Sequence, residues 1–108
     1  MQLNSYTRGD VTVITLDGSL DSGTAAGVQA DLERLVPEAG TTVLDFAKMT
    51  YMSSAGLRVL LLAHRRAQSS RARIVLAGLQ PDVREVMSAT GFLSFFDVLD
   101  TVEAGAQA

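Results

Sequence analysis

Residues 44–57 read LDFAKMTYMSSAGL, and their order decides the fold. Thr41 to Phe46, TTVLDF, predicts a short apolar strand. A polar loop follows, and from Ser54 the residues Leu57, Leu60, Leu61 and Ala67 recur at helical spacing toward Ser69-Ser70. A buried strand that runs through a loop straight into a helix is the first half of a crossover between parallel neighbours. Val59, Leu62 and Ala63 leave the middle of this helix apolar nearly all round, so it is either deeply packed or keeps an apolar flank for a partner.

Working outward, Arg73 to Ala77, RIVLA, predicts another buried strand, and Pro81 opens a helix that Gly91 closes, with Val83, Val86 and Met87 on its inner face. Phe92, Leu93, Phe95 and Phe96 are expected to cap one end of the core before a short strand around Val98 and a helical tail. Upstream, the β-branched run Val11 to Leu16 lies between the turn signals Arg8-Gly9-Asp10 and Asp17-Gly18. Leu3 to Thr7 can pair with it as the first arm of a hairpin. Ala25, Val28, Leu32 and Leu35 share one face of a helix that Pro37 and Gly40 end. The order β-β-α-β-α-β-α-(β)-α predicts an α/β domain with a mixed, mostly parallel sheet.

At 108 residues, 47% hydrophobic and 19% charged, with no internal repeat or Pro/Gly/Ser-rich divider, the chain reads as one domain over residues 1–108. A formal net charge of -3 offers phosphate backbones no general attraction, which argues against direct nucleic-acid binding. With no cysteine and one histidine, thiolate zinc sites and thiol nucleophiles are excluded, and no cofactor is implied. No signal peptide opens the chain and no apolar run approaches a membrane span, so a cytoplasmic protein without a membrane partner is expected. The acidic, well-mixed surface predicts a monomer when free. Neither a G-x-G-x-x-G nor a P-loop string is present.

The candidate chemistry sits at the serines. A hydroxyl at a helix start accepts from a free backbone N–H, and the positive helix end also favours an anion there. Plain N-capping is the ordinary role for Ser53 or Ser54; a phosphorylation switch is the sharper one, because a phosphoryl group adds roughly -1.5 to -2 charges to a surface. A hydrolase needs a base within reach of its nucleophile, but His64 follows Ser54 on the same helix by a rise of about 15 Å. His64 is instead expected on the solvent side. Asp21, before Ser22-Gly23-Thr24, suits a cap or turn, and Tyr51 and Met52 suit half-buried loop anchors or a partner's apolar pocket. Arg58, Arg65, Arg66, Arg71 and Arg73 suit a solvated helix face or a rim that steers an acidic partner.

Three blocks, GSLDSGTA (residues 18–25), LDFAKMTYMSSAGLRVLL (44–61) and ATGFLSFFDV (89–98), resemble the STAS-domain anti-sigma factor antagonists of bacteria over nearly the whole chain. The resemblance implies a single STAS-like domain with four to five strands and about four helices packed mainly on one face. It also implies partner switching: the unmodified antagonist binds a serine-kinase anti-sigma factor, phosphorylation by that kinase ends binding, and a PP2C-type phosphatase resets it. The family's phosphoacceptor falls on Ser54, its motif glycine on Gly56, and an acidic residue of the kinase encounter on Asp21. Ser53 stands where many members carry Asp, which makes it the alternative acceptor, and Ala55 stands where many carry Ser or Thr. The implied partner surface comprises Asp21, Ser22, Gly23, Met52, Ser53, Ala55, Gly56, Leu57 and Arg58. Two other roles use the same fold: a scaffold subunit of a lipid-transport or transporter complex, and a sensor of small anionic ligands or nucleotides at the helix mouth.

Overall fold

In the computed structural model, which describes residues 1–106, Gly9 at φ +62 turns the chain between β1 (Gln2–Arg8) and β2 (Val11–Leu20). The two pair antiparallel, as the hairpin reading predicts. After them come α1 (Ala25–Leu35), β3 (Ala39–Asp45), β4 (Met49–Met52), α2 (Ser54–Gln68), β5 (Arg71–Ala77) and α3 (Pro81–Ala89). A 3-10 turn (Leu93–Phe95), β6 (Asp97–Leu99) and α4 (Val102–Ala106) complete the chain. The end of the expected helical tail, residues 107 and 108, lies outside the described residues.

Five strands form the row β1-β2-β3-β5-β6, parallel except at the first hairpin, and β4 adds a sixth beside the upper half of β2. The α/β class and mixed sheet are as expected, with one strand more than the sequence suggested. The stretch taken for a polar loop holds β4, and Asp17-Gly18, taken for a turn, lies inside β2. There the register slips between Gly18 and Ser19, and Gly18 at φ +122 donates to the Lys48 carbonyl at 3.1 Å. This bulge lets β2 leave β3 and take up β4.

Alternation along the strands separates two apolar layers. Ile14, Leu16, Leu44, Phe46, Ile74 and Leu76 point to one face, where Val28 and Leu32 of α1, Leu57 and Leu60 of α2, and Val83 and Met87 of α3 cover them. Val11, Val13, Val43, Val75 and Ala77 point to the other, where Leu99 and Val102 pack and Gly105 of α4 lies against Val43. Three helices therefore share one face and the short α4 takes the other. Phe96 seals the end of the larger layer and is buried, while Phe95 remains exposed.

Candidate functional site

The end of β2 and the start of α2 are joined by backbone contacts. Ser53 donates its N–H to the Leu20 carbonyl at 2.9 Å, and its own carbonyl accepts from the Leu57 N–H at 3.0 Å. With extended dihedrals (φ -98, ψ 177), it sits as the N-cap, its Oγ accepting from the Gly56 N–H at 3.4 Å. Ser54 is the first helical residue; it is exposed, and its hydroxyl makes no hydrogen bond among the described residues. The two serines that sequence left as alternatives are thus in different states, one engaged as a cap and one offered to solvent. The cap bond is long, so Ser53→Ala should cost about 0.5–1 kcal/mol and lower the midpoint of a thermal melt by a few degrees. A loss above 2 kcal/mol would show a role for that hydroxyl beyond capping.

Beside this helix start lies the β2–α1 loop. Asp21 accepts through Oδ1 from the N–H groups of Gly23 (2.9 Å) and Thr24 (3.2 Å), which is the turn role expected of it. Thr24 Oγ1 accepts from the Asp21 N–H at 3.0 Å and donates to the Ser19 carbonyl at 2.9 Å. Sequence reasoning missed Thr24 as the partner that locks this loop, although the Asp-x-x-Thr spacing resembles a reciprocal capping pattern. It also missed Leu20, whose carbonyl anchors the start of α2. On the other side, Thr50 of β4 meets Ser19 hydroxyl to hydroxyl at 3.2 Å, and Tyr51 stands 54% exposed.

Of the expected contact residues, Ser22, Gly23, Ser54 and Arg58 are exposed, and Asp21, Ser53 and Ala55 are half-buried. Met52, Gly56 and Leu57 are buried and cannot touch a partner directly; they seat the first turn of α2 on the end of β2. A Cβ on Gly56 would lie 2.7 Å from the Leu20 Cγ and 2.8 Å from the Leu20 carbonyl oxygen. The glycine is there for that close approach.

Two other expectations change. His64 does not stand free in solvent: it is half-buried, its ring centroid 5.0 Å from that of Phe96. Tyr51 and Met52 belong to a strand, not a loop, and Met52 is buried. Within the arginine segment, Arg66 meets Glu33 at 3.8 Å and Arg73 meets Asp97 at 2.8 Å, whereas Arg58 has no ion pair among the described residues. The flank of α2 that sequence left unassigned opens, toward its C-terminal end, on a 210 Å³ groove shared with α1 and lined by Leu32, Val36, Leu62 and Ala63. Among the described residues no group of three or more His, Cys, Asp or Glu could hold a metal, and no helix is long and apolar enough to cross a membrane.

The molecule is a small α/β domain whose mixed sheet presents an unengaged serine at a helix mouth, beside a hydrogen-bonded loop that carries Asp21. The STAS domain model matches residues 2–105, and the chain belongs to that family. It is 39% identical to a Bordetella bronchiseptica protein named "Putative anti-sigma factor antagonist BtrV", covering all of this chain and 94% of that one. The unphosphorylated form of the anti-sigma factor antagonist SpoIIAA superposes with a TM-score of 0.74 at 26% identity, over 95% of this chain and 90% of that one. SpoIIAA of Bacillus in its phosphorylated form superposes with a TM-score of 0.66 at 25% identity, over 95% and 94% of the two chains.

Proposed function

We propose that this protein is an anti-sigma factor antagonist controlled by phosphorylation of Ser54. Unmodified, it binds a serine-kinase anti-sigma factor in the cytoplasm and releases the sigma factor; modified by that kinase, it lets go, and a PP2C-type phosphatase restores it. It acts as a substrate and binding partner and performs no catalysis of its own. The observation that carries the reading is the division of labour at the start of α2, where Ser53 is held as the cap while the Ser54 hydroxyl is exposed and unengaged. A kinase needs an accessible hydroxyl, and adding a phosphoryl there sacrifices no existing hydrogen bond. The sequence relationship to BtrV and the existence of SpoIIAA in two phosphorylation states support the same role.

The partner surface comprises Ser54, Arg58 and the Asp21-Ser22-Gly23 loop, with Ser53 and Ala55 at its edge. The protein is a monomer when free.

Capture from a lysate of the native organism on wild-type, Ser54→Ala and Ser54→Asp baits tests the reading, with mass-spectrometric identification of partners and phosphosites. The alanine bait should retain a serine kinase, the aspartate bait should lose it, and phosphate should map to Ser54. If both variants hold one non-kinase partner and neither Ser53 nor Ser54 carries phosphate, the switch is refuted.

A further inference from the structure

Arg58 is the only charged residue between Lys48 and His64. It lies on α2 four residues after Ser54, so the two share a helix face about 6 Å apart at Cβ. Both are exposed, and Arg58 has no ion-pair partner among the described residues. Helical side chains lean toward the N-terminus, which aims Arg58 back at Ser54 rather than away from it. An anion placed four residues before a cation is also the favourable order for such a pair.

We infer that Arg58 is the built-in counter-ion of phosphorylated Ser54, folding back along α2 to hold the phosphoryl oxygens through its guanidinium. This rests on the proposal that Ser54 is the phosphoacceptor. Guanidinium matches phosphate with paired N–H donors, so the contact is stronger than an ordinary surface pair. Its consequence concerns switching. In the unmodified protein Arg58 offers the partner an exposed cation one helical turn from Ser54. Phosphorylation adds an anion and in the same event withdraws that cation, so recognition loses an attraction as well as gaining a repulsion.

The experiment installs phosphoserine at position 54 during synthesis, so no kinase is needed, and follows the phosphate by 31P NMR titration at low salt in the wild-type, Arg58→Lys and Arg58→Gln backgrounds. The other titratable groups on the elements meeting the start of α2 are Asp17 on β2, Asp21 on the neighbouring loop and Tyr51 on β4, and these are unchanged across the series. A partner cation favours the dianion. The second phosphate pKa should therefore be lowest with Arg58, intermediate with Lys and highest with Gln, over a span of about 0.3–0.5 pH unit. Added salt should shrink the span. Equal values in wild type and Arg58→Gln would overturn the inference while leaving Ser54 as the phosphoacceptor. Lack of phosphate at Ser54 in the native organism would refute the switch but leave the titration result standing.

Discussion

Replacing Gly56 with alanine is expected to destabilise the domain by about 2–3 kcal/mol, although alanine is the better helix former. Position 56 is in the first turn of α2, where propensity alone favours alanine by about 1 kcal/mol. Against this stands the overlap: the new methyl would sit 2.8 Å from the Leu20 carbonyl oxygen and 3.1 Å from the Met52 Cγ. The carbonyl cannot retreat freely because it accepts the Ser53 N–H at 2.9 Å, so relieving the clash loosens the cap of the same helix. In a domain of this size the midpoint of thermal unfolding should fall by roughly 10 °C or more. Gly27 supplies the opposite sign. It lies in α1, exposed, with nothing within 4 Å of an added Cβ, and Gly27→Ala should stabilise by about 0.5–1 kcal/mol. If both substitutions raise the melting midpoint, the close seating of α2 on β2 is wrong.

That seating explains which features were legible in the sequence. The helices of residues 25–35, 54–68 and 81–89 show apolar spacings of three and four with clear stops, and β3 and β5 carry short β-branched and apolar stretches (Thr41 to Leu44 and Ile74 to Ala77), so their types follow from pattern. Strand β4 is different. Met49 and Met52 are buried while Thr50 and Tyr51 are exposed, so it lacks the period of two that marks a strand. It exists because the Gly18–Ser19 bulge turns the end of β2 toward it, a tertiary cause that local composition does not carry. Asp17-Gly18 misled for the same reason: a glycine in a bulge has the composition of a glycine in a turn.

At the site, the position of Ser54 at the helix mouth could be read directly, and so could the turn role of Asp21. What could not be read was the direction each neighbour faces. Met52 and Leu57 look like surface candidates because they flank the serines, yet both are only 2% exposed. His64 belongs on the polar side by composition, but the apolar residues surrounding it on α2 bring it against Phe96. Helical periodicity assigns faces relative to one another; only the packing of α2 against β5, α1 and β4 says which face is covered.

On the proposed function, phosphorylation of Ser54 is expected to weaken binding of the proposed kinase partner by at least about 100-fold, and Ser54→Asp by less. Ser54 is central to the proposed surface, between the Asp21-Ser22-Gly23 loop and Arg58, so any partner that covers both must desolvate whatever stands at position 54. A neutral hydroxyl is cheap to bury against a polar atom. A group carrying roughly -1.5 to -2 charges is not: unless the partner supplies a matching cation, the lost hydration costs several kcal/mol, and 2.7 kcal/mol already corresponds to about 100-fold. The half-buried Asp21 carboxylate adds like charge nearby. Aspartate carries one charge on a shorter side chain and lacks the phosphoryl's third oxygen, so it desolvates at lower cost and grips Arg58 more weakly. Calorimetric titration of the purified kinase with unmodified, phosphoserine-54 and Ser54→Asp proteins should give affinities in that descending order, aspartate falling between the other two. Equal affinities for the unmodified and phosphorylated forms would mean that the partner does not cover the mouth of α2, and the docking surface would then have to be sought elsewhere on the domain.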